Sequence, residues 1–157
     1  RGWPPQFYAL SLSVVAVTSV GFGLISGALI DRFRATGLLP FFLVPLAGSC
    51  FVLGIDGPPE LLFLVMMLLG VAYGLSSTLF GSLWPEVYGT LHLGAIRSVT
   101  VSAMVFATAA GPGVTGTLID MGIPVPKQMT WIGFYCLAAA GAMALASIRL
   151  RKRQSPK

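Results

Sequence analysis

The sequence predicts an all-α polytopic membrane protein with five transmembrane helices, because of its composition and the placement of its charges. Hydrophobic residues make up 55% of its 157 residues and charged residues only 10%, and the mean hydropathy is +0.85. Soluble domains carry about 25% charged residues. Five intervals contain no charged residue at all: 2–30, 35–55, 61–85, 98–119 and 128–148. Each is long enough for a membrane helix, which needs roughly 20 apolar residues.

The apolar runs are continuous, which excludes the alternating segments of about 10 residues that form a transmembrane β-barrel. We therefore predict one transmembrane helical domain over residues 1–157, followed at its end by a basic cytoplasmic tail, 150–157. Its predicted spans, numbered one to five along the chain, are 6–30, 38–53, 60–83, 95–119 and 130–149.

The distribution of Lys and Arg predicts the orientation in the membrane. With five spans, one side of the bilayer receives Arg32, Arg34, Arg97, Arg149, Arg151, Lys152, Arg153 and Lys157, and the other only Arg1 and Lys127. The C-terminus is therefore expected in the cytoplasm and the N-terminus outside, in the inner or plasma membrane of the cell. The same asymmetry accounts for most of the net charge of +5, so the lipid bilayer is the expected partner and nucleic acid is not.

Residues with the chemistry of an active site are scarce. His92 lies between two spans with no Cys, Asp or Glu at ligand spacing, and Cys50 and Cys136 lie inside apolar runs. Buried cysteines usually behave as small hydrophobic residues. The sequence therefore predicts no catalytic residue, no metal site and no cofactor, and a protein that is not an enzyme.

Small and polar residues distinguish spans one, three and four, which we expect to form an inner wall, from the more apolar spans two and five, expected at an outer rim. Ser11 and Thr18 on span one, with Tyr73 and Ser77 on span three, are predicted to line a cavity, since polar groups in a bilayer usually face a bundle interior. The alternative is that the hydroxyl groups bond only to the backbone of their own helix.

Span four contains a predicted helix break or hinge. Gly111, Pro112 and Gly113 lie well inside the span, and Gly116 follows one turn later. Proline removes an intrahelical hydrogen bond, and interrupted helices line the transport path of many membrane transporters. A fixed structural kink is the alternative interpretation.

Three stretches resemble signatures of the major facilitator superfamily. Residues 27–34, Gly-Ala-Leu-Ile-Asp-Arg-Phe-Arg, are similar to its signature loop, although Arg34 takes the place of the usual glycine. Residues 111–116 resemble its Gly-Pro helix signature, and residues 86–98 resemble the loop before the eleventh helix in bacterial members. The sequence also has a short motif repeated with inverted topology. Gly27 and Asp31 lie at the end of span one on one side of the membrane, and Gly116 and Asp120 lie at the end of span four on the other side.

This resemblance implies an alternating-access secondary transporter for a small solute. The family has twelve helices in two six-helix halves, so the five spans would match helices eight to twelve, an incomplete C-terminal half-bundle whose partner is a missing N-terminal half. A match to helices two to six is the alternative register. Gly27, Asp31, Arg32 and Arg34 would form the cytoplasmic gate motif, with Asp31 capping a helix in the other half. A non-transporting membrane fragment or interaction module that needs a partner half is the alternative function, and the substrate, coupling ion and direction stay open.

Overall fold

The computed structural model describes residues 5–55 and 57–154, and within these ranges it is helical with no strand. The all-α class is thereby confirmed. Six helices follow one another within the described residues: α1 Pro5–Phe33, α2 Ala35–Leu38, α3 Leu43–Gly54, α4 Leu61–Tyr88, α5 Leu93–Asp120 and α6 Val125–Gln154. Of the predicted basic tail, residues 150–154 continue α6, while 155–157 lie outside the described residues.

Five segments of the described chain are long and apolar enough to cross a membrane, as the charge-free intervals predict. They are Ala9–Phe33, Ala35–Gly54, Leu61–Tyr88, Leu93–Asp120 and Val125–Leu150. The protein is therefore a multi-pass membrane protein. The second segment is two helices, because Pro40 has no N–H and disfavours helical geometry at the residue before it. Single-turn bonds join the halves there, from Phe41 N to Leu38 O and from Val44 N to Phe41 O.

Helix α4 is longer than the predicted span 60–83, since it continues through Pro85 to Tyr88. A proline within a helix leaves the carbonyl four residues earlier without its usual donor. Here that carbonyl belongs to Gly81, and the Arg97 guanidinium donates a hydrogen bond to it across 3.4 Å. A side chain from α5 thus occupies the position of the missing backbone donor, and the helix ends only at Gly89, where φ is +73°.

Helix α4 is the centre of the assembly, with α1 on one flank and α3 on the other. Along the α1–α4 contact, Gly70 faces Val15, Gly74 faces Ser19, and Thr78 bonds to Gly23. The two residues of each pair are separated by 55 positions in the sequence, so α1 and α4 run parallel to each other. Two of the three spans predicted to form an inner wall, spans one and three, therefore lie side by side.

Helices α3 and α6 pack antiparallel against each other, because Gly54 lies beside Thr130 and Gly133 lies beside Phe51. The rings of Phe51 and Phe134 meet edge to face at 5.1 Å. Four small apolar residues are buried in the described parts of these two helices: Ala47, Cys50, Cys136 and Ala140. Spans two and five thus contribute part of the packed core, which the assignment to an outer rim did not anticipate.

Helix α5 differs most from the predicted layout. It corresponds to span four of the expected inner wall. Within the described part of the chain, however, none of its residues is buried. A Cβ atom added at Gly111, Gly113 or Gly116 would meet nothing within 4 Å. Small residues permit a close approach between helices but do not by themselves provide the partner, and α5 has little packing against α4 and α6.

The close approach of α1 to α4 predicts that Gly74→Ala destabilises the protein. The new Cβ would lie 2.5 Å from Ser19 O and 2.8 Å from Gly23 N, so the helices would have to separate. Overpacking of this kind costs about 1–3 kcal/mol. Thermal unfolding of the purified protein in detergent measures the effect. Gly81→Ala is the matched control on the same helix, because its Cβ would meet nothing within 4 Å. Equal melting temperatures for the two variants would contradict the tight contact.

Candidate functional site

The candidate site lies beside a very close contact between α1 and α4. At Gly70 an added Cβ would collide with the Thr18 side chain and would lie 2.8 Å from Val15 O, and at Gly74 it would meet the α1 backbone. Gly70 and Gly74, one helical turn apart, bring the backbones of α1 and α4 together. The space between the two helices at this contact is therefore too narrow for side chains from both. The neighbouring side chains therefore diverge and leave a depression between α1 and α4.

This depression is an open groove of about 540 Å³ near the middle of both helices. It is lined by Ser19, Val20, Gly23 and Leu24 of α1 and by Tyr73, Gly74, Ser77 and Thr78 of α4. The volume is in the range of pockets that hold small molecules, about 300–1,000 Å³. The lining combines apolar surface with four hydroxyl groups and contains no charged side chain.

Three of the four hydroxyl groups are already bonded to helix carbonyls. Ser19 Oγ donates to Ala16 O at 2.9 Å, and Ser77 Oγ donates to Gly74 O at 3.1 Å. Thr78 Oγ1 lies 3.3 Å from both Gly74 O and Gly23 O, so its single proton is shared between the two helices. The phenol of Tyr73 is different, since its side chain is 60% exposed and no described residue hydrogen bonds to it.

The four residues predicted to line a cavity do not lie together. Tyr73 and Ser77 line the groove, as expected of one helical face. Thr18 instead packs on Gly70 and donates to Val14 O at 2.6 Å, so it belongs to the helix contact. Ser11 is fully buried nearer the start of α1.

The groove also contains residues that the sequence interpretation did not select as cavity-lining. Val20 and Leu24 are apolar, and the sequence contains no signal that distinguishes them from residues facing lipid. Ser19 and Thr78 are small and polar, but the sequence interpretation did not assign them to the cavity. Their position follows from the phase of α1 relative to α4, which the Gly70 and Gly74 contacts fix.

The predicted gate motif lies at the junction of α1 and α2. Asp31, Arg32 and Arg34 are exposed there, and the Arg32 guanidinium lies 5.6 Å from the centre of the Phe33 ring. Gly27 is half-buried one turn earlier, with nothing within 4 Å of an added Cβ. Arg34 has φ +65° and ψ 153°, a conformation that only glycine adopts without strain. The sharp turn into α2 therefore falls at the position where the family signature has its glycine.

A hydrogen-bonded junction holds α2 in place just beyond this turn. The Glu86 carboxylate of α4 accepts from Ala35 N at 2.8 Å through Oε2, and from the Thr36 hydroxyl at 2.7 Å through Oε1. The Ser147 hydroxyl of α6 donates to the Thr36 carbonyl oxygen. Ala35 and Thr36 are fully buried. The junction therefore connects α2 to α4 through partly buried polar bonds and to α6 through a buried one.

Sequence reasoning did not identify this junction. Glu86 was noted only within the linking segment that resembles the family, because its partners at Ala35 and Thr36 lie some 50 residues earlier in the chain. The position of Glu86 directly after Pro85 is the one local signal, since a helix that continues past a proline needs outside support.

The predicted break in span four is not a gap in the helix. Helix α5 runs without interruption from Leu93 to Asp120 and includes Pro112. Gly111, Gly113 and Gly116 lie on exposed or half-exposed surface. The role of this segment as a hinge therefore stays a prediction.

Ligands for a metal ion are not clustered in the described ranges. No group of three or more His, Cys, Asp and Glu side chains lies close enough together there to hold one. His92 is exposed next to the start of α5, and Cys50 and Cys136 are buried free thiols. The chemistry available in the groove is accordingly hydrogen bonding and apolar contact.

Comparison of the chain with protein-family models, with curated proteins and with solved structures finds no match.

The Glu86 junction predicts that Glu86→Ala loosens α2. The amide of Ala35 and the hydroxyl of Thr36 would both lose their acceptor while remaining buried, which costs about 1–3 kcal/mol for each such group. Hydrogen–deuterium exchange should show faster exchange at Ala35, and thermal unfolding should occur at lower temperature. Glu60→Ala is the control, because Glu60 is exposed and makes no capping bond at the start of α4. Unchanged exchange at Ala35 in Glu86→Ala would contradict the junction.

The conformation of Arg34 predicts that Arg34→Gly stabilises the protein. Backbone strain at such a residue is of the order of 1–3 kcal/mol, and glycine relieves it. Denaturant-induced unfolding measures the gain. Arg32→Gly is the matched control within helical backbone, where glycine costs about 1 kcal/mol. If both variants lose stability equally, the positive φ at Arg34 is not present in the protein.

Proposed function

We propose that this chain forms part of a secondary transporter of the major facilitator type, which moves a small solute across the membrane by alternating access. The observation that carries the proposal is the groove between α1 and α4. Polar side chains inside a bilayer are costly and usually face a substrate pathway or a bundle interior. Here four hydroxyl groups and two apolar side chains line one depression near mid-span.

The end of α1 supports the same proposal. Asp31, Arg32 and Arg34 occupy the loop that resembles the family signature, and all three are exposed. Of these, Asp31 and Arg32 are in a position to contact a second half of a transporter. In the proposed orientation this loop faces the cytoplasm, the N-terminus lies outside, and the protein resides in the inner or plasma membrane, as the distribution of Lys and Arg indicates.

A non-transporting membrane interaction module is the second candidate, and helix α5 favours it. None of the described residues of α5 is buried, although the helix is 28 residues long. Such a helix packs readily against another membrane protein through Gly111, Gly113 and Gly116. A partner half of a transporter is one possible occupant of this surface and an unrelated membrane protein is another, so transport itself has to discriminate between the two functions.

Transport is tested with the protein expressed from its complete reading frame and reconstituted in liposomes. The vesicles are incubated with a defined mixture of small metabolites, and solutes that accumulate are identified by mass spectrometry. We expect saturable accumulation of a small set of solutes. Absence of accumulation under proton, sodium and substrate gradients would exclude transport and leave the interaction module.

Two variants connect transport to the structure. Tyr73→Ala should raise the half-saturating substrate concentration by about tenfold, which corresponds to about 1.4 kcal/mol of lost binding. Tyr135→Ala, at an exposed tyrosine of α6 outside the groove, is its control. Asp31→Asn should change the rate of transport and the accessibility of inside-facing cysteines rather than the affinity. Unchanged kinetics in Tyr73→Ala would remove Tyr73 from the site.

A further inference from the structure

We infer that the groove between α1 and α4 binds an uncharged amphipathic molecule, one with a hydroxyl or amide group on an otherwise apolar body. This inference rests on the proposed function and deepens it, because it names the chemical class of the solute. It depends on three properties of the lining: its charge, its hydrogen-bonding groups and its apolar wall.

The first property is the complete absence of charge from the lining. None of the eight lining residues carries a charge, and both helices lie within charge-free intervals of the sequence at this depth, 2–30 and 61–85. A charged ligand at mid-span would lose its hydration without gaining an opposite charge, and this loss is large in an apolar medium. The lining therefore selects against ions and zwitterions.

The second property is the direction of the hydrogen bonds. The protons of Ser19, Ser77 and Thr78 point to helix carbonyls. A hydroxyl has one proton and two lone pairs, so these three groups offer only acceptors to a ligand. The phenol of Tyr73 supplies the one available donor of the lining. A ligand that both donates and accepts, such as an alcohol or a primary amide, matches this set.

The third property is the apolar wall on the α1 side. The side chains of Val20 and Leu24 are 67% and 76% exposed and border the hydroxyl groups. An apolar ligand body placed against Val20 and Leu24 would cover this exposed apolar surface. Because acceptors, donor and wall lie in one groove of about 540 Å³, the ligand is small and carries both polar and apolar parts.

Photolabelling tests the ligand class independently of transport. Three diazirine probes share one alkyl body and differ in the end group: a primary alcohol, a carboxylate and a trimethylammonium. Each is irradiated with the protein in lipid nanodiscs, and labelled residues are identified by mass spectrometry. The alcohol should label the groove residues of α1 and α4 more than exposed residues of α5, which report unspecific labelling from the lipid. An unlabelled alcohol should compete, and the charged probes should label the groove at least about tenfold less.

Variants identify the contribution of individual groups. Tyr73→Phe removes only the phenol hydroxyl and should weaken competition by the alcohol about three- to tenfold, the range expected for one hydrogen bond. Tyr135→Phe is the control and should have no effect. Val20→Trp fills the groove from an exposed position and should abolish specific labelling, while circular dichroism and thermal unfolding confirm an unchanged fold.

The outcomes separate this inference from the proposed function. Equal labelling of groove and α5, or stronger groove labelling by a charged probe, overturns the ligand class even if transport is observed. Labelling at the groove that no alcohol displaces, but that a diazirine-bearing phospholipid reproduces, shows that a lipid acyl chain occupies the groove and also overturns it. Specific, competable labelling without any transport supports the ligand class and refutes the transporter.

Discussion

The structure depends on one constraint, which is that backbone polar groups within a membrane need partners because lipid offers none. Two irregular places show how the chain meets it. Arg97 donates to the Gly81 carbonyl that Pro85 leaves free. Glu86 accepts from the amide of Ala35 where the chain turns into α2. In each place a side chain from one helix serves the backbone of another helix.

Both bonds involve α4, and so does the additional bond from the Thr78 hydroxyl to the Gly23 carbonyl, which is consistent with α4 as the centre of the assembly. Its first half carries Gly70 and Gly74, which admit the α1 backbone, and its last turns carry Pro85 and Glu86. The position of α1 is therefore fixed by shape along its middle, whereas α2 is fixed by polar bonds at its start. Helix α5 donates the Arg97 bond to α4 and otherwise packs little against α4 and α6 within the described residues, so its orientation depends much less on the rest of the chain.

The five spans could be predicted from the sequence because charge spacing is a local property with a physical scale, the thickness of the bilayer. The groove could be predicted only in part. Tyr73 and Ser77 lie on one face of α4, and helical periodicity predicts this directly. Thr18 and Ser19 are consecutive residues of α1, yet Thr18 lies in the helix contact and Ser19 in the groove. Which of the two enters the groove depends on the rotation of α1 about its axis. The Glu86 junction and the exposure of α5 depend on contacts between distant segments, and no spacing within either segment contains that information.

Asp31 near the end of α1 and Glu86 near the end of α4 show how a role expected from a sequence motif differs from a contact made within the fold. The resemblance assigns to Asp31 a capping contact with a helix of another half, whereas within this chain a backbone amide at the start of a helix is capped by Glu86. Because Glu86 already satisfies the start of α2, Asp31 is not needed there and stays exposed. The strained backbone of Arg34 lies between these two sites and turns the chain away from the exposed Asp31 toward the half-buried Glu86. A turn that costs free energy at Arg34 is retained by the bonds of Glu86 and Ser147 on its far side, so the exposed loop is presented from a rigid support.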